Sequence, residues 1–154
     1  MYIFLLTVAI VCADQAVKYA VRAFMAEGQS IEIIKGFFSL TYYRNDGAAF
    51  SSFRGQQVLL IAASVIAIFV ALFFLWKERK GSLLLRLALA LIIGGGAGNL
   101  IDRAIFAEVT DMLDFSIFPP IFNVADIAVV LGCGLFIIYI VFDEKIARKG
   151  HGGN

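Results

Sequence analysis

Four long apolar runs, separated by links in which polar residues return, set the plan of this chain. They fall at about residues 1–22, 56–76, 83–100 and 124–142. Each approaches the roughly 20 residues that a helix needs to cross a hydrocarbon layer about 30 Å thick. The second is the purest: "QQVLLIAASVIAIFVALFFLW", Gln56 to Trp76, holds no charge and ends on a tryptophan suited to a membrane interface. The third closes on "GGGAG", small residues that let neighbouring backbones approach closely. The link at 28–55 has a different period. Ile31 and Ile33, then Phe38, Leu40 and Tyr42, alternate with polar neighbours and are broken by Gly36, which predicts a small β-hairpin or sheet on the membrane surface. The link "EVTDMLDFSIFPPIFN" carries a short extended stretch, and Pro119 and Pro120 forbid a continuous helix there. The pattern therefore predicts an all-α membrane protein: four transmembrane helices with a small β-hairpin or sheet, in a single integral membrane domain over 1–154.

Composition sharpens this. With 61% apolar and only 16% charged residues in 154, the chain lies outside the habits of soluble domains, and four spans leave no room for a separate one. A net charge of +1 without a basic stripe excludes a nucleic-acid partner. Cys12 and Cys133 each sit in an apolar run and read as small hydrophobes. The opening "MYIFLLTVAIVCAD" lacks a basic start, and Lys18 and Arg22 follow on an unbroken pattern, so it reads as a retained first helix. Lys77, Arg79, Lys80 and Arg86 crowd the short second link, and Lys145, Arg148 and Lys149 follow the last run. Those flanks are expected in the cytoplasm, with both termini inside and the β-rich loop outside, although Lys35, Arg44, Arg54 and Arg103 fall on the other side.

That topology collects the unusual polar residues in one layer. Asp14 and Lys18 lie in the outer half of the first span, Asn99, Asp102 and Arg103 at the outer end of the third, and Asn123 and Asp126 at the outer start of the fourth. Asp111 is on the external link. The spacings 14/18, 99/102 and 123/126 put each pair on one helix face. Single interfacial cations such as Arg22 and Arg54 read as boundary anchors. Asp14 and Lys18 fit equally an ion pair that braces the bundle and a direct substrate role. Asp111 and Asp126 are the stronger site candidates, Asp126 because it begins a buried helix one turn after Asn123. The only histidine, His151, lies in the tail, so a serine or cysteine nucleophile has no base, and no HExxH pair exists for zinc. Two carboxylates held together can share a proton and activate water, which is aspartic-protease chemistry and needs no cofactor or metal.

At these residues the chain resembles the lipoprotein signal peptidases, or signal peptidase II, of bacterial cytoplasmic membranes. The resemblance rests on Asp14, Gln15 and Lys18; on "NDGAAF" from Asn45 to Phe50; on "GGGAGNLIDR"; on Val109 to Asp111; and on Phe122 to Asp126. Five blocks in order are specific where any one would be weak. The resemblance implies a membrane aspartyl endopeptidase with an extracytoplasmic β-cradle, cutting signal peptides from prolipoproteins just before a diacylglyceryl-modified cysteine. Its partners would be those precursors and membrane lipids, and it would act as a monomer. It implies Asp111 and Asp126 as the catalytic pair, Asn45, Asn99, Arg103 and Asn123 as substrate-holding and orienting groups, and Asp14, Lys18 and Asp102 as supports. Gly47, Ala48 and Ala49 would leave room for the lipid-bearing peptide. Two departures stand out: Ala107 and Glu108 replace a glycine and an aromatic often found before the V-x-D, and Asp114 rivals Asp111. In a strand those two aspartates face opposite sides; in a helical turn they share one. A proton-linked transporter is the rival from another class, disfavoured by the absence of repeated halves and by charges at one face rather than the midplane. A purely structural subunit is the third reading, favoured only if the aspartates can be replaced without loss.

Overall fold

The computed structural model describes residues 2–47, 53 and 55–151, without the side chains of 143–151. Four helices are long and apolar enough to cross a membrane: α1 (Tyr2–Phe24), α2 (Gln57–Lys77), α3 (Leu83–Phe106) and the Val124–Phe142 part of α4 (Val124–His151). Four strands, β1 (Ser30–Ile34), β2 (Phe38–Asn45), β3 (Val109–Phe115) and β4 (Phe118–Phe122), form one antiparallel sheet in the order β1-β2-β3-β4. The alternation in the first link marked the β1–β2 hairpin. The second link adds its own pair of strands, so both links build one sheet. Pro119 and Pro120 sit in β4, the edge strand, which pairs with β3 alone and whose register shifts between the Phe118 and Phe122 pairings that flank them.

α3 is the hub, packing extensively against all three other helices. Its small residues make this possible. A Cβ on Gly95 would run into the carbonyl oxygen of Ala125, and one on Gly98 would meet Asp14 Oδ2 at 2.6 Å. α2 rests its Ala71 against a cluster of Leu85, Leu89 and Ile93. α3 continues past the apolar run, which ends at Leu100, because Asn99, Asp102 and Arg103 find polar partners inside the bundle rather than facing lipid. It stops at Ala107, whose left-handed backbone (φ 59°) turns the chain into β3 within two residues. β3 is buried on both faces over Val109–Met112. Thr110 and Met112 point toward α1, Met112 packing with Val21 and Met25, while Val109 and Asp111 take the other face, as the pleat requires.

Candidate active site

Helix α1 is amphipathic in the reverse sense to a soluble helix. Its buried residues are Asp14, Lys18 and Val21, one stripe at helical spacing, while Tyr2, Phe4 and Leu5 face outward. Lys18 Nζ lies 2.9 Å from Asp14 Oδ2 and 3.4 Å from Asp102 Oδ2, with all three side chains fully buried. Such a cluster is tolerable only if every remaining lone pair and proton is used. It nearly is. Asp14 Oδ1 accepts the backbone N–H of Ala125 at 2.9 Å, so a carboxylate from α1 caps the first turn of α4. Asp102 Oδ2 accepts the Thr110 N–H at 2.9 Å, hooking α3 to β3. Gln15 Nε2 reaches Asp14 Oδ2, the Gly98 carbonyl and Asp102 Oδ1 at 3.0–3.2 Å.

Above this base sit the two acids. Asp111 Oδ1 accepts from Asn123 Nδ2 at 2.6 Å, and its Oδ2 accepts from Asn45 Nδ2 at 2.9 Å. Asp126 Oδ1 accepts from Asn99 Nδ2 at 2.7 Å, and its Oδ2 accepts the Asn123 N–H at 3.1 Å. Asn123 Oδ1 takes the Asp126 N–H in return, which makes Asn123 the cap of α4. One asparagine therefore holds both carboxylates. Asn99 is keyed in its turn. Its Oδ1 accepts from Lys18 Nζ at 2.8 Å and Asn123 Nδ2 at 3.1 Å, so its Nδ2 is the end that must face Asp126. Burial pushes the Asp111 carboxyl up to about 7; the Asn45 and Asn123 amides and the Lys18 charge pull the other way, while Asp126 adds to the rise. Arg103 reaches toward the same centre from α3, donating to the Gly47 carbonyl at 3.1 Å, two residues past the end of β2.

All nine residues singled out from the sequence thus meet in one network. Arg22 does not behave as the boundary anchor expected of it: its Nη1 donates to Thr110 Oγ1 at 2.9 Å, lies 3.4 Å from Asp102 Oδ1, and its guanidinium stacks on Phe106. An i,i+4 relation to Lys18 on the inward stripe was the available signal. Gln15 and Thr110, which lie within the quoted motifs but were given no role, also join the network. Asp114 is part-exposed and accepts from Thr41 Oγ1 at 2.8 Å, away from Asp111 on the opposite face of the strand. Glu108 pairs with Arg44 at the surface. Ala48, Ala49 and Arg54 lie outside the described residues. No cluster of three metal-ligating side chains occurs among the described residues.

Four spanning helices, a sheet laid over one end and a buried acidic centre between them describe a multi-pass membrane enzyme, and known proteins agree. Two solved chains, both described as bacterial membrane enzymes determined by the in meso method, superpose with TM-scores of 0.88 and 0.83 at 34% identity; they cover 93% and 90% of this chain, and 89% and 92% of their own. Residues 6–142 match the family described as signal peptidase (SPase) II. A lipoprotein signal peptidase of Halothermothrix orenii is 43% identical over 144 residues, 94% of this chain and 98% of its own length. One from Listeria monocytogenes serotype 4a is 40% identical over 148 residues, 94% of this chain and 96% of its own. The chain belongs to the signal peptidase II family, a family of peptidases.

Proposed function

We propose that this protein cleaves the signal peptide from lipoprotein precursors, just before a diacylglyceryl-modified cysteine, with Asp111 and Asp126 as a catalytic pair sharing one proton. The observation that carries the reading is the Asn123 bridge: acids from a strand and from a helix are bonded to the same side chain and main chain. Two carboxylates so placed repel when both are ionised, and burial raises the cost, which fits the Asp111 carboxyl lying near 7. The ionised member takes a proton from water as it attacks the scissile carbonyl; the protonated member donates to the carbonyl oxygen as the tetrahedral intermediate forms, and proton return to the amine releases the products. Asn99, keyed by Lys18, and Asn123 hold the pair in register. Asn45 supports Asp111 from the sheet, and Arg103 and Asn45 are set to engage the substrate backbone. Asp14, Lys18 and Asp102 brace the three helices beneath.

The cationic second link and tail support a reading in which both termini lie in the cytoplasm and the sheet with its acids lies on the outer face of the cytoplasmic membrane, the protein acting there as a monomer. The test replaces Asp111 or Asp126 with Asn and follows cleavage of a lipid-modified precursor peptide by the full-length protein. Loss in both variants with melting retained supports the pair. Cleavage persisting in both removes it, and loss at Asp114→Asn with activity kept at Asp111→Asn would reassign the partner.

A further inference from the structure

The strand that carries Asp111 is gripped from its other face through the residue before it. Thr110 is buried and points toward α1, away from the acids, as alternation along a strand requires. Its N–H and its hydroxyl are both engaged: the N–H donates to Asp102 Oδ2 at 2.9 Å, and Oγ1 accepts from Arg22 Nη1 at 2.9 Å. The same Arg22 nitrogen lies 3.4 Å from Asp102 Oδ1, and its guanidinium carbon stands 4.6 Å from the centre of the Phe106 ring. Arg22 thus joins α1, the end of α3 and β3 at one point.

The sheet by itself does not fix the aim of Asp111. Its ladder pairs Asn45 with Val109, Arg44 with Thr110 and Tyr43 with Asp111, and then Leu40 with Leu113, so Thr41 and Tyr42 of β2 face Met112 alone. A bulge of this kind bends the pair of strands and increases their local twist, and it begins directly after Asp111. How far the aspartate is turned is then decided by what holds its neighbour. We propose that Arg22 is a positioning residue for the cleavage reaction: through Thr110 Oγ1 it fixes the rotation of β3 about its own axis, and so the direction in which Asp111 meets Asn45, Asn123 and Asp126. This inference rests on the function proposed above. Arg22 acts at one remove from the reacting atoms, and its role is separable from that of the buried brace. Without it Asp102 keeps Lys18 at 3.4 Å and Gln15 at 3.1 Å, so no acid is stranded. The loss falls on aim, to which reacting groups are far more sensitive than folding is.

The experiment uses the full-length protein in detergent with a lipid-modified precursor peptide, and kcat is taken per folded molecule, the folded fraction being read from thermal unfolding. Arg22→Met and Thr110→Val each remove the contact, and each is expected to lower kcat by roughly tenfold with KM held within about twofold. The double variant is expected to be no slower than the slower single one, because both replacements delete the same interaction. Thr110→Ser separates aim from packing. It keeps the hydroxyl and loses a buried methyl, whereas Thr110→Val keeps the shape and loses the hydroxyl. A positioning role ranks Val below Ser in kcat, even where Ser melts lower; a packing role ranks Ser below Val. Ser falling below Val, losses that multiply in the double variant, or a rise in KM in place of the fall in kcat would each overturn the assignment. Cleavage persisting in Asp111→Asn removes the catalytic reading whatever these variants show. An inactive Asp111→Asn beside wild-type kcat in Arg22→Met and Thr110→Val removes only the role given to Arg22.

Discussion

Helices α1 and α2 are alike in length and oppose each other in logic. α1 buries an aspartate and a lysine with only Val21 beside them and turns most of its aromatic and aliphatic residues outward; α2 has no ionisable residue from Gln57 to Trp76 and buries only Leu60 and Ala71. In water the apolar helix would be the core element. In a bilayer the surroundings are as apolar as its side chains, so it is held by shape alone along α3. The polar stripe of α1 has no such indifference: it can be satisfied in one place and one rotation only, and there it fixes Asn99, caps α4 and reaches Asp102.

The contrast can be broken most severely at its chemical end. Asp126→Asn or Asp111→Asn is expected to lower turnover on the order of 10⁴-fold with the melting temperature held within a few degrees, read by precursor cleavage and thermal unfolding in detergent. Next comes the brace. Lys18→Met strands Asp14 and Asp102 and is expected to cost about 3–5 kcal/mol, whereas Ile66→Ala on the outward face of α2 stays within about 0.5 kcal/mol; equal effects would refute the contrast. Gly98→Ala drives a methyl into Asp14 and is expected to cost about 1–3 kcal/mol, while Gly134→Ala, with open space around it, is neutral or mildly stabilising.

A pH series sharpens the picture further. A pair that works with one shared proton loses activity as pH rises through about 7 and Asp111 ionises. The Asn45 hydrogen bond favours the ionised form, so removing it in Asn45→Leu is expected to move the alkaline midpoint upward by about one unit; a downward move would contradict the assignment. The smallest effect is expected at Ala107. Its φ of 59° suits glycine, and Ala107→Gly should stabilise by roughly 0.5–1 kcal/mol in the same melting assay.

The four helices were legible because each is a long apolar run, and the β1–β2 hairpin because alternation has period two. The pairing of β2 with β3 was not, since Tyr43 and Asp111 are far apart in the chain and no local period announces such a partner. Hydropathy ended the third span at Leu100, although the helix runs on to Phe106 behind inward-facing Asn99 and Asp102. Composition and spacing could gather the polar residues into a layer. They could not tell Asp111 from Asp114; the pleat of β3 does, by turning one into the bundle and the other toward Thr41. Nor could they tell that Arg22 serves Asp102 rather than a lipid headgroup.

The inward stripe of α1 also bears on how the chain is made. Lys18 emerges from the ribosome 81 residues ahead of Asn99, the amide it will orient, so for several seconds at common synthesis rates the first helix stands in lipid without its lifelong companions. Asp14, one turn away, travels with the lysine as a built-in counterion, which lets the helix wait in the bilayer until the third one arrives.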